Sequence, residues 1–153
     1  MPDALALIWT AAPEWKLRLI VVLALANMVL AVRLYTAMSK ARFRAAKAGR
    51  VTTDTYKATQ NEPEDVAVFN RAVVNQFESP TLFYAIVAIG LALGVTSWIT
   101  VLLAAAYVAL RWRHGSEMIG AHDVLKRRKL FIRSFQILLA MMAELFVSAM
   151  LFV

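Results

Sequence analysis

The chain has 153 residues, 61% of them hydrophobic, no cysteine, and a formal charge of +7 from seventeen Lys and Arg against ten Asp and Glu. That apolar share exceeds the roughly 45–50% of soluble domains and comes in long blocks, so the chain reads as an integral membrane protein of one domain. The lack of cysteine excludes disulfides, thiolate metal sites and cysteine nucleophiles. The basic residues flank the apolar blocks and form no soluble module, which favours anionic lipid over nucleic acid as their partner.

Met1 to Glu14 holds a short apolar piece, Ala4 to Ala12, that lacks the basic flank of a cleaved signal peptide. The first spanning stretch is Leu17 to Met38 (span 17–38), long enough for a bilayer core of ~30 Å. Asn27 lies near its middle and suits a hydrogen bond to a neighbouring helix. Arg33, near its far end, suits snorkelling to the interface. Lys40, Arg42, Arg44 and Lys47 follow among strong helix formers, so the helix is expected to continue beyond the membrane surface and stop at Gly49.

Val51 to Asn61 reads as a loop, and Glu62-Pro63-Glu64-Asp65 as a helix start with proline early and acids in the first turn. The second helix is expected over Glu64 to Leu93 (span 66–93), with a kink or restart at Pro80. As a continuous helix, it would carry Arg71, Asn75 and Glu78 on one face at i, i+4 and i+7. Such a row costs free energy unless its members pair, face water or hold a polar ligand. Gly94 to Ser97 is a tight, uncharged connection to a third stretch (span 97–113), with Trp98 as an interfacial anchor. That helix ends in Arg111-Trp112-Arg113-His114. Gly115 to Lys129 reads as a polar, basic connection, and Leu130 onward as the fourth span (130–152), interrupted by Arg133 and Glu144. Glu144 reads as a buried hydrogen-bonding or ion-pairing residue, with Asn27 or Arg33 as candidate partners.

The architecture expected is an all-α, four-helix membrane bundle. The loops after the first and third spans carry most of the Lys and Arg, which places them in the cytoplasm and both termini outside. The unusual polar residues then share one depth: Arg42 and Arg44, Arg71, Asn75 and Glu78, Arg111 and His114, and Arg133. Arginine forks pair bidentately with carboxylates and a carboxylate accepts an ammonium, so the set suits a zwitterionic anion. Pairing among themselves or with lipid head groups is the structural alternative. His114 and His122 lack metal-ligand spacing, and no GxSxG, P-loop or GxGxxG pattern is present.

Arg71-Ala72, Asn75 and Glu78 resemble the R-A-x-x-N-x-x-E signature of the MAPEG family (membrane-associated proteins in eicosanoid and glutathione metabolism). Asn75-Gln76-Phe77-Glu78-Ser79-Pro80-Thr81-Leu82-Phe83-Tyr84 is similar to the version found in bacterial members, and Arg111-x-x-His114 to a second signature of the family. The resemblance implies a homotrimer in a bacterial inner membrane that binds glutathione between subunits and delivers its thiolate to a lipophilic acceptor or a peroxide, as a glutathione transferase or peroxidase does. It implies that Arg71, Asn75 and Glu78 hold the tripeptide, with Arg111, His114 and Arg42 nearby. The thiolate-stabilising arginine has two registers, Arg127 and Arg133. Arg133 is the preferred catalytic position because the apolar span begins there. The chain departs from the family pattern at Val73, Met118 and Ile137, where other members carry side chains able to hydrogen-bond a ligand. A second expectation therefore stands beside the first: a non-catalytic membrane subunit that binds lipid or a larger membrane protein complex.

Overall fold

A computed structural model describes residues 12–57, 61–120 and 123–153. The N-terminal apolar piece up to residue 11 and His122 lie outside the described residues. Among the described residues the fold is entirely helical: α1 (Pro13–Lys47), α2 (Thr53–Lys57), α3 (Glu64–Val74), α4 (Ser79–Leu93), α5 (Trp98–Ile119) and α6 (Val124–Phe152). The stretches Pro13–Lys47, Glu64–Leu93 and Val124–Phe152 are long and apolar enough to cross a membrane. The shorter apolar run of α5 ends at Arg111, and α5 is the central helix, packed on α1, α3 and α6.

α1 is a single rod of 35 residues, about 50 Å at 1.5 Å per residue. Ile20, Asn27, Leu30, Leu34, Met38, Ala41 and Ala45 are buried along it. Their three-, four- and seven-residue spacing draws one seam that faces the bundle. Leu17, Val21, Val22, Leu25, Val29 and Val32 lie exposed on the remainder, as expected of a surface solvated by lipid. The helix stops where the sequence indicates. Gly49 has φ +67°, Arg50 N–H reaches the Ala45 carbonyl at 3.0 Å, and Gly49 N–H reaches that of Ala46 at 3.0 Å. This is a Schellman closure, and its left-handed residue carries no Cβ penalty.

The second predicted helix is two helices. α3 ends at Val74, residues 75–78 turn, and α4 restarts at Ser79 with Pro80 in its first turn. Pro80 has no N–H to give the Gln76 carbonyl and its ring would collide with it, so a straight continuous helix is disfavoured and a restart is favoured. Glu78 consequently leaves the helical face it was expected to share with Arg71. The Gly115–Lys129 connection is also shorter than expected: α5 continues to Ile119 and α6 starts at Val124, capped by the Asp123 carboxylate, which accepts from Lys126 N–H at 3.0 Å. Gly115 belongs to the α5 helix because it is the contact point with α1. A Cβ there would meet Leu30 Cδ1 at 3.2 Å, so its absence lets the two helices close up.

The core around α5 contains Ile20, Phe83, Tyr107, Leu138 and Met141, with the Phe83 and Tyr107 rings stacked at 4.7 Å. Asn27 donates to Tyr84 Oη at 3.0 Å and so pairs across helices, as expected. Glu144 does not reach Asn27 or Arg33. Its carboxylate accepts from Ser97 Oγ at 2.5 Å, Thr100 Oγ1 at 2.9 Å and Ser148 Oγ at 3.2 Å. Ser97 and Thr100 form the capping box that starts α5, so the negative charge of Glu144 rests at a helix N-terminus, where the dipole favours it.

Candidate functional site

At the opposite end of α5 the polar residues converge. Arg111 is completely buried and Nη2 donates to the Asn75 carbonyl at 3.1 Å and to Asn75 Oδ1 at 2.5 Å. Asn75 Nδ2 in turn donates to Glu78 Oε2 at 2.8 Å. The break between α3 and α4 makes this chain possible. It frees the Asn75 carbonyl from helical pairing and turns its side chain between Arg111 and Glu78. A charged donor of this kind is about twice as strong as a neutral one. The guanidinium is nonetheless half-used: Nε and Nη1 are buried without a hydrogen-bond partner.

His114 lies one turn further along α5, 3% exposed, with its ring 5.8 Å from that of Phe131 on α6. Its Nδ1 is also buried and unpartnered. The charges of Arg111 and Arg127 both act on it. Arg127 is half-buried at the start of α6, whereas Arg133, two turns on, is exposed. Arg71 is exposed near the end of α3, and Glu78 is exposed in the turn. Arg42 is turned away to a separate contact: its Nη2 lies 2.7 Å from Glu62 Oε1, Nε donates to the same oxygen at 2.8 Å, and the guanidinium stacks over Tyr56 at 5.2 Å. The structure thus links Asn75, Glu78 and Arg111 by hydrogen bonds, sets His114 one turn along α5 within reach of the charges of Arg111 and Arg127, and leaves Arg42, Arg71 and Arg133 outside this chain of bonds.

Several contacts at the same end escape a reading by spacing. Arg33 does not merely snorkel: Nη1 donates to Ser116 Oγ at 3.0 Å and its guanidinium lies over the Trp112 ring at 5.6 Å, which clamps α1 to α5. Glu117 is 7% exposed and pairs with Lys126 Nζ at 2.6 Å. The length of α5 beyond His114, which places Ser116 and Glu117 on a helix, was the missing signal.

Val73 and Met118, two of the departures from the expected motif, are buried with Leu30, Leu34, Met38 and Ala72 in one apolar cluster. Ile137 packs at the edge of the α5 core. Among the described residues no group of three His, Asp or Glu side chains is placed to hold a metal ion.

No curated protein and no solved structure matches the chain. The MAPEG family profile matches residues 17–147, nearly the whole length. By that match, and with a helical membrane bundle that agrees with it, the chain belongs to the MAPEG family.

Proposed function

We propose that this chain binds glutathione, or a similar peptide thiol, at the Arg111–Asn75–Glu78 cluster and joins it through its sulfur to a lipophilic acceptor. The family includes glutathione-using enzymes and non-catalytic members, so membership alone does not choose. The observation that carries this reading is the buried guanidinium of Arg111, bonded through Nη2 alone and aligned with Glu78. Glu78 would accept the ammonium of the tripeptide, and Arg71 would pair with a carboxylate at the adjoining subunit seam of a homotrimer. Arg127 or Arg133 would hold the sulfur as thiolate by lowering its pKa. The thiol proton then passes to water, and the sulfur lone pair forms a C–S bond to an electrophilic carbon of the acceptor. The electron pair displaced at the acceptor leaves with the leaving group, or takes up a proton in an addition. His114 would orient the ligand from below, and the site would open on the cytoplasmic face of a bacterial inner membrane.

One observation favours a second reading, a non-catalytic subunit that binds lipid or a larger membrane protein complex. Val73 and Met118, which depart from the expected family pattern, are used in apolar packing. The two separate in a heat-denaturation titration with glutathione, because a ligand of the folded state raises stability by RT ln(1 + [L]/Kd). Saturation at a hundred times Kd gives about 2.7 kcal/mol, and Arg71→Ala and Glu78→Gln should reduce the response. No shift at millimolar glutathione in the parent protein would remove the thiol reading and leave the subunit one.

A further inference from the structure

A polar recess lies further along α5, and none of its residues takes part in the thiol site. A cavity of about 300 Å³ between α5 and α6 is lined by Trp112, Arg113, Ser116, Glu117, Lys126 and Leu130. Two of its walls, Trp112 and Ser116, are held by Arg33 from α1. Its polar rim carries Arg113 and Lys126, while Leu130 and the indole of Trp112 make it apolar on the side where the spans begin. Arg113 follows the third apolar run and Leu130 opens the fourth, so the recess lies at the depth where lipid phosphates meet the hydrocarbon.

Glu117 is the informative group. It is almost fully buried, Lys126 occupies Oε2, and Oε1 is buried with no hydrogen-bond partner. A carboxylate oxygen in that condition requires a donor. A ligand that brings an anion with that donor suits the recess, because Arg113 is exposed at the same rim and Arg33 adds a positive charge behind the wall. Phosphoethanolamine chemistry supplies both: a phosphate for the cations, and an ammonium with three N–H donors for Glu117 Oε1. We infer that this recess is a binding site for a phospholipid of the ethanolamine class, its phosphate on Arg113 and Lys126, its ammonium on Glu117, and its glycerol end against Leu130 and Trp112.

The test is a thermal titration of the purified protein in detergent with phosphatidylethanolamine, with phosphatidylcholine, and with soluble O-phosphoethanolamine. Phosphocholine has the same phosphate but no N–H, so it isolates the contact to Glu117. Phosphatidylethanolamine should act at a roughly tenfold lower concentration than phosphatidylcholine, the value of one charged hydrogen bond. Glu117→Gln should abolish that preference, and Arg113→Gln should weaken both lipids alike. Equal potency of the two lipids on the parent protein overturns the proposal even if Glu117→Gln fails to fold. So does a preference that survives Glu117→Gln. Soluble O-phosphoethanolamine acting as well as the lipid would overturn the membrane source.

Discussion

The two ends of α5 solve the same problem in opposite ways. At its N-terminal end one carboxylate, Glu144, is fully engaged: three hydroxyl groups donate to its two oxygens, and the capping box beneath it is complete. At the other end a fully buried arginine is bonded through one nitrogen, a buried histidine nitrogen has no partner, and Glu78 and Arg71 face outward. A polar cluster that satisfies all its members fixes helices together. One that leaves buried donors unpaired has the bonding capacity that the proposed ligand would use. Polarity within an apolar bundle is therefore no sign of function by itself; the two ends differ in how far their polar atoms are paired.

The comparison breaks first at Arg111. Arg111→Ala removes the hub between α5 and the α3–α4 turn and should cost about 3 kcal/mol or more, read as a lowered unfolding midpoint at fixed scan rate. It should also abolish any stabilisation by glutathione. Glu144→Ala removes the acceptor that three buried hydroxyls share and should cost about 2 kcal/mol, but the glutathione response should persist. If Glu144→Ala removed that response, the division between a structural end and a binding end would fail. Gly115→Ala pushes a methyl against the end of the Leu30 side chain and should cost about 1 kcal/mol by overpacking, without effect on either cluster. Arg133→Ala, an exposed change, should alter stability by less than about 0.5 kcal/mol. Its effect on thiol-transfer rate, set against that of Arg127→Ala, sharpens the choice of thiolate-holding residue.

Much of the bundle was legible because the bilayer imposes length and periodicity at once. The stop of α1 at Gly49, the tight α4–α5 turn and the helix pairing of Asn27 all follow from residue type and spacing. The α3–α4 break was legible only in part. Pro80 marked a discontinuity, but the residues that unwind lie before it, where its ring and missing N–H act. Asn75, Glu78, Arg111 and His114 were identifiable by motif. Their hydrogen-bonded order was not, since it depends on the turn that carries Asn75 across to Arg111. The partners of Glu144 were misread because sequence placed it in the middle of a span. Packing instead sets it level with the first turn of α5, and α6 runs on beyond that turn.

The unbroken length of α1 ties together what the membrane and the water each control. No kink or cap interrupts it between Pro13 and Lys47, so a single residue inserted near Ser39 would rotate everything beyond by about 100° and lift it by about 1.5 Å. Arg42 would swing off Glu62, and Ala41 and Ala45 would leave Val66, although no lipid-facing residue had changed. The helix acts as a camshaft: register chosen in the hydrocarbon determines azimuth and height outside it.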